Sequence, residues 1–327
     1  MYFTKVNVNE NDSRLDRFLR RYVGKINQSL LEKYLRQKLI LVDNQRAKAS
    51  QRVHLNQVIS YSSSIFFNKN NKEPIFTNQE KKIYKDLFSK IIVKENKNFI
   101  VINKPNDIAV QGGTKQKLHI DNFLKVNYEK KESKPKLVHR LDKETSGLLI
   151  IAQDSLYANK ISQLFRNGKI IKIYYALISP SPLKNKGTIK TKIEQRQSFN
   201  ENKMFVSEVS GKSSITKYYV IDKIDDQMAL VALYPITGRT HQLRLHMNHL
   251  GSPIIGDKKY FNKNDKNLKG DKDEFLKLHA AMIKIPDENL LKAEIPKHFK
   301  ITLEYYGLNL KKDEYVYNLF LEDKFEN

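Results

Sequence analysis

The sequence predicts an α+β protein in which a small, partly helical N-terminal domain precedes a larger domain built on a mainly antiparallel β-sheet. Strand-like segments near residues 188–193, 218–224 and 228–234 follow one another with little room for helices between them, which favours antiparallel pairing over an alternating parallel sheet. Helical periodicity dominates the first 36 residues, and a polar Asn- and Lys-rich stretch separates the two regions. We therefore expect domains at 1–62 and 91–310, a linker at 63–90 and a C-terminal tail at 311–327.

The amino-acid composition limits the classes of function that the chain can have. The chain carries 59 Lys or Arg against 36 Asp or Glu, a formal net charge of +23, which predicts a polyanionic partner such as nucleic acid. High Lys and Asn usage on a solvated surface is the alternative explanation for part of this excess. With no cysteine, the chain has no disulfide, thiolate nucleophile or thiolate metal site. Without a signal pattern or a membrane-length apolar run, we expect a cytoplasmic protein that does not contact a membrane.

The N-terminal domain begins with an amphipathic helix within residues 12–22. A second helix is expected from Ser29, where Glu32 three residues later predicts a capping box. Strands at 39–42 and 58–61 follow, with a turn at 43–44. Residues 1–60 hold 12 Lys or Arg against 5 Asp or Glu, a net of +7, which is dense for so small a unit.

The larger domain opens with two short apolar strands at 91–93 and 99–102. A helix capped by Asp154 and closed by Gly168 is expected next, followed at once by a strand at 172–177. Thr240 is the expected cap of a later helix. A polar loop at 262–274 and a peripheral helix in the tail complete the expected elements.

The stretch from His139 to Gly147 is the strongest candidate for chemistry. Charged and turn-forming residues come first, and the apolar segment 148–152 follows directly. Asp142 is thus expected on a tight turn at the mouth of a buried strand, where a rigid scaffold can hold a carboxylate that faces a cleft. An Asp that only organises the turn, helped by Thr145 and Ser146, is the alternative, and the local sequence leaves both open.

The segment HRLDKETSGLLI closely resembles the catalytic motif HRLDxxTSGLL of the RluA-type pseudouridine synthases, in which the Asp is the catalytic residue. Five further segments are similar to other parts of that family, and the resemblance spans about residues 10–305. They are Lys104-Pro105 with Gly112-Gly113, Lys172-x-Tyr174-x-Ala176-Leu177, Pro235 to His246, Gly251 to Asp257, and Phe275 to Ala280.

The resemblance implies roles for individual residues. Asp142 would act on the target nucleotide, and Tyr174 would stack on the flipped base and accept a proton late in the reaction, while Tyr175 points to the opposite face. Arg244 would pair with Asp142 and Arg239 would meet an RNA phosphate, although sequence alone allows these two arginines to exchange roles. Leu278 would pack under Tyr174. Further substrate or RNA contacts are expected from Lys104, His139, Arg140, Thr145 and His241.

The N-terminal region resembles the S4 RNA-binding domain, whose RLDxFL opening is present as residues 14–19. Gln37-Lys38 and Asn56-Gln57 replace family residues at turns, where Asn also adopts the left-handed conformation. A generic pair of basic helices is the alternative. The residues expected to contact RNA here are Arg14, Arg17, Lys33 and Arg36.

The implied reaction is isomerisation of uridine to pseudouridine, which needs no cofactor, no redox change and no energy input. The segment 109–113 is most similar to enzymes acting on large-subunit ribosomal RNA, so the expected partner is that RNA or its assembly intermediate, bound by a monomer. A synthase with other target uridines and a catalytically silent RNA-binding or ribosome-assembly factor are alternatives. A metal site at His241, His246 and His249 is not favoured because no carboxylate joins them. A glycosidase-like hydrolase would need a second carboxylate, for which Asp257 is the only candidate.

Overall fold

A computed structural model of the chain describes residues 1–24, 26–65, 76–112, 118–198, 201–260 and 275–322. It divides into two compact units, Met1–Thr77 and Asn78–Asn327. Gly113 and the polar loop predicted at 262–274 lie outside the described residues. No helix among the residues described is long and apolar enough to cross a membrane.

The first unit pairs two helices with short strands. Its elements are β1 (Tyr2–Lys5), a 3-10 turn (Val8–Glu10), β2 (Ser13–Arg14), α1 (Leu15–Tyr22), α2 (Gln28–Arg36), β3 (Ile40–Val42), β4 (Gln45–Arg46), β5 (Arg52–Val53) and β6 (Val58–Tyr61). One sheet has the strand order β1-β6-β3-β4, and β2 pairs with β5. Leu15, Phe18 and Leu19 of α1 bury their side chains against Leu31 and Leu35 of α2 and against the strands, as their helical spacing predicts.

Two local expectations in this unit are decided by backbone geometry. The predicted capping box is wrong: α2 begins one residue before Ser29, and Glu32 accepts a hydrogen bond from the Gln28 side chain instead of closing a box. Lys38 and Asn56 both adopt the left-handed conformation, with φ of 59° and 70°. The departures from glycine at these turns are thus accommodated without it.

The second unit holds the large sheet and six helices among its described residues. The helices are α3 (Asn78–Ile91), α4 (Ile120–Asn127), α5 (Ser155–Arg166), α6 (Gln242–His249), α7 (Lys297–Tyr305) and α8 (Asp313–Glu322). The strands are β7 (Ile92–Glu95), β8 (Phe99–Lys104), β9 (Lys136–Leu137), β10 (Ser146–Ala152), β11 (Ile171–Ile178), β12 (Lys186–Ser198), β13 (Glu201–Ser207), β14 (Lys212–Ile224), β15 (Met228–Pro235), β16 (Leu278–Lys284) and β17 (Leu291–Lys292).

The large sheet is mixed. Its strand order is β13-β12-β14-β15-β11-β16-β10-β8-β7, with β17 beside β16 and β9 beside β10. Each pairing among these described strands is antiparallel except β10 with β16, which run parallel. The central strands β10, β11 and β15 are buried on both faces, which explains why they read as continuous apolar runs instead of alternating ones.

Two segments differ from the boundaries expected from sequence. Residues 78–90, assigned to the linker, form most of α3, which buries Tyr84 and Phe88 and packs on α4. The tail forms α8, which buries Val316 and Phe320 in the core beside Tyr234 instead of lying at the periphery. The sequence alone does not show which elements these two helices pack against.

Candidate active site

A cavity of about 630 Å³ lies where three parts of the second unit meet. The turn before β10, the start of β11 and the loop from β15 into α6 form its walls. Its described lining residues include Asp142 and Thr145 from the first, Lys172 and Tyr174 from the second, Arg239, His241 and Arg244 from the third, with Phe165, Arg166 and Leu278 completing it. Segments distant in sequence, each singled out above for its motif, thus share one cavity.

Asp142 occupies the turn that leads into β10, as predicted. The Thr145 N–H donates to the Asp142 carbonyl at 3.2 Å, which closes the turn. The Asp142 side chain is 18% exposed and lines the cavity. The backbone here is anchored to the strand that follows, because the Ile150 N–H donates to His139 Nε2 at 2.8 Å. Packing lowers the pKa of His139 to about 3, helped by the nearby charge of Lys172, so the imidazole is a neutral acceptor.

Lys104 is not available to RNA, contrary to expectation. Its side chain is fully buried, and its ammonium donates to the carbonyls of Pro105, Ile108 and Lys143 at 2.8–3.0 Å. Burial lowers its pKa to about 7, against the opposing effect of Asp142 and other nearby carboxylates. Lys104 therefore ties the end of β8 to the residue following Asp142.

Tyr174 and Tyr175 point to opposite faces of the sheet, as strand alternation predicts. Tyr174 lines the cavity, whereas the Tyr175 hydroxyl donates to Asp313 at 2.9 Å on the other face. Burial, and secondarily the Asp142 charge, raise the pKa of Tyr174, so its hydroxyl keeps its proton. Tyr174 pairs with Ala280 in β16, which places Leu278 two positions away on the same face.

Arg244 pairs with Asp257 and not with Asp142. Its Nε and Nη2 donate to the two carboxylate oxygens of Asp257, both at 2.7 Å, and Nη1 lies 3.3 Å from Glu144. The Arg244 side chain is 3% exposed and that of Asp257 0%. The expected contact with Asp142 is therefore absent in this structure. Asp142 acts on Arg244 through space, adding to the hydrogen bonds of Asp257 that raise its pKa against the effect of burial.

His241 is the residue beside Asp142. Its Nε2 lies 3.9 Å from Asp142 Oδ1, and its Nδ1 is 2.7 Å from the Tyr260 hydroxyl. We assign the Tyr260 hydroxyl as the donor to Nδ1, because its oxygen already accepts the Met204 N–H at 3.3 Å, and in this tautomer the imidazole proton is on Nε2, facing Asp142. His241 has a left-handed backbone, with φ of 55°, and it, not Thr240, caps α6.

The other predicted site residues are divided between the two units. Arg239 is exposed at the rim, where its Nε donates to the Ser213 carbonyl at 3.0 Å, and Arg140 is exposed at the same cavity. Arg17, Lys33 and Arg36 are exposed in the first unit, whereas Arg14 is held by Asp16 through two hydrogen bonds of 3.1 and 2.8 Å. None of these four residues lines the cavity.

The side chains weighed for a metal site and for a second catalytic carboxylate form hydrogen bonds and ion pairs with other groups. His246 uses both ring nitrogens in hydrogen bonds to the hydroxyls of Thr191, Ser214 and Thr216, which removes it from the metal site weighed above. Asp257 is occupied by Arg244 and by the N–H groups of Lys259 and Tyr260, and it does not line the cavity.

The sequence reasoning did not assign to Lys172, Asp257 and Tyr260 the positions that they take at the site. Lys172 lies two residues before Tyr174, so strand alternation alone would have put it on the cavity face. Asp257 and Tyr260, which hold Arg244 and His241, form a Gly256-Asp257-x-x-Tyr260 segment whose acidic and phenolic groups were the available signal.

Comparison with known proteins identifies the family of this chain. Residues 98–249 match the family model described as RNA pseudouridylate synthase. The chain is 39% identical over 296 residues to ribosomal large subunit pseudouridine synthase C of Rickettsia conorii, which covers 88% of this chain and 95% of the relative. It is 36% identical over 251 residues to ribosomal large subunit pseudouridine synthase D of Borreliella burgdorferi, covering 71% and 74%.

A solved structure agrees with these relatives. Human RNA pseudouridylate synthase domain containing 4 superposes with a TM-score of 0.62 and 27% sequence identity, covering 72% of this chain and 100% of that one. The predicted RluA-type resemblance is thus confirmed. The chain is a member of the RNA pseudouridylate synthase family, whose members are RNA isomerases.

Proposed function

We propose that this enzyme converts uridine to pseudouridine in large-subunit ribosomal RNA, with Asp142 as the catalytic carboxylate. One observation carries the assignment of Asp142. Among the described residues that line the cavity it is the only carboxylate, and no described Lys or Arg lies within ion-pair distance of it. Glu144 and Asp257 both contact Arg244 instead.

The reaction sets the requirement that Asp142 meets. The bond from N1 of uracil to C1′ of ribose breaks, C5 of the same base joins C1′, and the C5 proton is lost while N1 gains one, so the atoms of the nucleotide balance. A carboxylate can attack C1′, add to C6 of the base or take the proton from C2′ of ribose. Each route needs an ionised oxygen beside the ribose in a site from which water is excluded, and Asp142 can serve all three.

Tyr174 is assigned to hold the base. A flipped uracil that stacks on the Tyr174 ring is enclosed from the sheet side by Leu278. Because the raised pKa of Tyr174 keeps its hydroxyl protonated in the free enzyme, we assign it stacking and hydrogen-bond donation in the first half of the reaction.

Arg244 and His241 are positioning residues in this proposal. The bidentate pair with Asp257 fixes the Arg244 guanidinium, which places a positive charge near Asp142 without direct contact. The Tyr260 hydroxyl fixes the His241 tautomer, so that an N–H donor faces the Asp142 carboxylate. Burial lowers the pKa of His241, which keeps the imidazole neutral and leaves the negative charge on Asp142 unopposed at this contact.

The N-terminal unit is proposed to be an S4-like RNA-binding module that holds the ribosomal RNA or an assembly intermediate. Support comes from the two packed helices followed by a small sheet, and from the exposed Arg17, Lys33 and Arg36. The large-subunit substrate is supported by the names of the relatives, and the C type is favoured because three Rickettsia proteins of that name are 37–39% identical to this chain.

Asp142→Asn tests the proposed chemistry. The amide keeps the size and turn bonding of Asp142 but cannot supply an anionic oxygen, so isomerisation should be lost while RNA binding is kept. The measurement is tritium release from C5-labelled uridine in large-subunit RNA, with Asp287→Asn, an exposed turn residue of left-handed backbone, as the control. Activity of Asp142→Asn within about tenfold of the unaltered enzyme, a barrier change of only about 1.4 kcal/mol, would remove Asp142 from this role.

The substrate is tested separately. Pseudouridine maps of ribosomal RNA from cells with and without the gene should differ at discrete uridines of the large subunit. Identical maps would favour the silent RNA-binding alternative, and differences only in other RNAs would refute the substrate assignment.

A further inference from the structure

Lys172 is a cation on the cavity wall without an anionic partner among the described residues. It lies on β11 two residues before Tyr174, and so on the same face. No described carboxylate lies within 4.0 Å of its ammonium, which instead sits 5.5 Å from the centre of the Phe165 ring. Burial alone lowers its pKa to about 8, whereas the pKa of Lys104 is also subject to the opposing effect of Asp142. A desolvated ammonium of this kind is stabilised when an anion reaches it.

The surroundings of Lys172 leave room for such an anion. A Cβ placed on Gly238 would lie 3.9 Å from the Lys172 ammonium, with no nearer described atom, so the glycine leaves the approach open. The same cavity is lined by Arg140, Arg166 and Arg239, whose positive charges would attract the same ligand. The described lining of the cavity is therefore mostly cationic in its charged groups, and Asp142 is the only described carboxylate in it.

We propose that Lys172 binds a non-bridging oxygen of a phosphodiester group next to the target uridine, through the opening beside Gly238. This inference rests on the proposed function and adds to it a backbone contact inside the cavity. A phosphate is favoured over the reacting base because Lys172 forms no ion pair with Asp142, the carboxylate at which the base must react and whose neighbour in the described structure is His241.

Lys172→Met tests the contact, since methionine keeps most of the apolar stem and removes the charge. Affinity for an unmodified large-subunit RNA transcript should fall about tenfold to a hundredfold, as expected for a charge-assisted hydrogen bond, and the salt slope of binding should fall by about 1. Lys169→Met removes the same charge from an exposed position three residues away and should leave both unchanged. Lys172→Arg, which retains the charge, should restore most of the affinity and stays informative if Lys172→Met fails to fold.

Phosphate ethylation interference identifies the ligand atom. Ethylation neutralises single phosphates, and with the unaltered enzyme it should interfere with binding at several positions of the transcript. With Lys172→Met one of these positions should lose its interference, because the two changes remove the same contact and are not additive. An identical pattern for both proteins would overturn the proposal. A fall in the single-turnover rate at saturating RNA, with affinity unchanged, would also overturn it by placing Lys172 at the base.

Both binding measurements are independent of catalysis. If the unaltered enzyme binds the transcript but isomerises no uridine in it, the proposed function fails while the phosphate contact is still decided by the interference pattern.

Discussion

The buried Arg244–Asp257 ion pair is expected to contribute strongly to the free energy of unfolding. Asp257→Asn would leave the guanidinium of Arg244, only 3% exposed, without the carboxylate that neutralises it, and would present an amide donor to a group that only donates. Removing one partner of a buried ion pair costs about 3–5 kcal/mol, because the remaining charge stays desolvated. We expect a loss of unfolding free energy of that size in the second unit.

Glu144→Gln is the matched control, since Glu144 contacts the same arginine. Its side chain is 45% exposed and its oxygen lies 3.3 Å from Nη1, so solvent screens the pair and the expected cost is at most about 1 kcal/mol. Equilibrium urea unfolding followed by far-UV circular dichroism measures both variants, and the slope m should stay constant. If Asp257→Asn costs less than about 1 kcal/mol, or if Glu144→Gln costs as much, the view that Asp257 holds Arg244 is refuted.

Three further outcomes are expected. Arg244→Lys keeps the charge but loses the planar fork, so turnover should fall more than RNA affinity, whereas the exposed Arg239→Lys should do the reverse; equal behaviour in steady-state and binding assays would contradict the assignment. His246 and His279 are fully buried, and burial lowers the pKa of each to about 4, so the unfolded chain binds more protons below pH 6.5. Stability should therefore fall as pH drops from 6.5 to 4, by about 3 kcal/mol for each residue, and His246→Gln should flatten this slope in urea titrations across that range. Removal of residues 1–77, which leaves α3 intact, should raise the apparent KM and flatten its salt dependence while the single-turnover rate at saturating RNA is kept; loss of that rate in a folded protein would contradict the division of labour.

Local patterns in the sequence predicted much of the fold. The helix capped by Asp154 forms as expected, with the Tyr157 N–H donating to the carboxylate at 2.7 Å, and Gly168 follows it in the left-handed conformation. The strand β13 was missed because its apolar run is only three residues long, from Met204 to Val206, and it gains its strand form by pairing with β12. The alternation of side chains along a strand and the capping of a helix depend on residues close in sequence. The pairing of strands depends instead on which strand lies alongside in the folded protein.

The sequence predicted which residues form the candidate site, but not which of them contact one another. Asp142, Tyr174 and Arg244 come together around one cavity, although their motifs lie on different elements and β16 separates β10 from β11 in the sheet. The sequence could not show that Asp257 would take Arg244, since both carboxylates are at plausible distances along the chain and only tertiary packing selects one. Nor could it show the left-handed turn at His241, because that conformation is uncommon for residues other than glycine.

The single parallel pairing in the large sheet has a consequence for when the enzyme becomes active. β16 lies between β10, which follows the Asp142 turn, and β11, which carries Tyr174, so the two parts of the active site are separated by a strand synthesised more than 100 residues after them. Its fit is close: Gly147 lies against the Ala280 backbone with φ of 109°, and an added Cβ would come within 2.3 Å of the Ala280 carbonyl. Because chains emerge from the ribosome N-terminus first, β10 and β11 are synthesised before the strand that joins them in the sheet. The Asp142 turn and Tyr174 can therefore take their places in one sheet only after residue 284 has been synthesised.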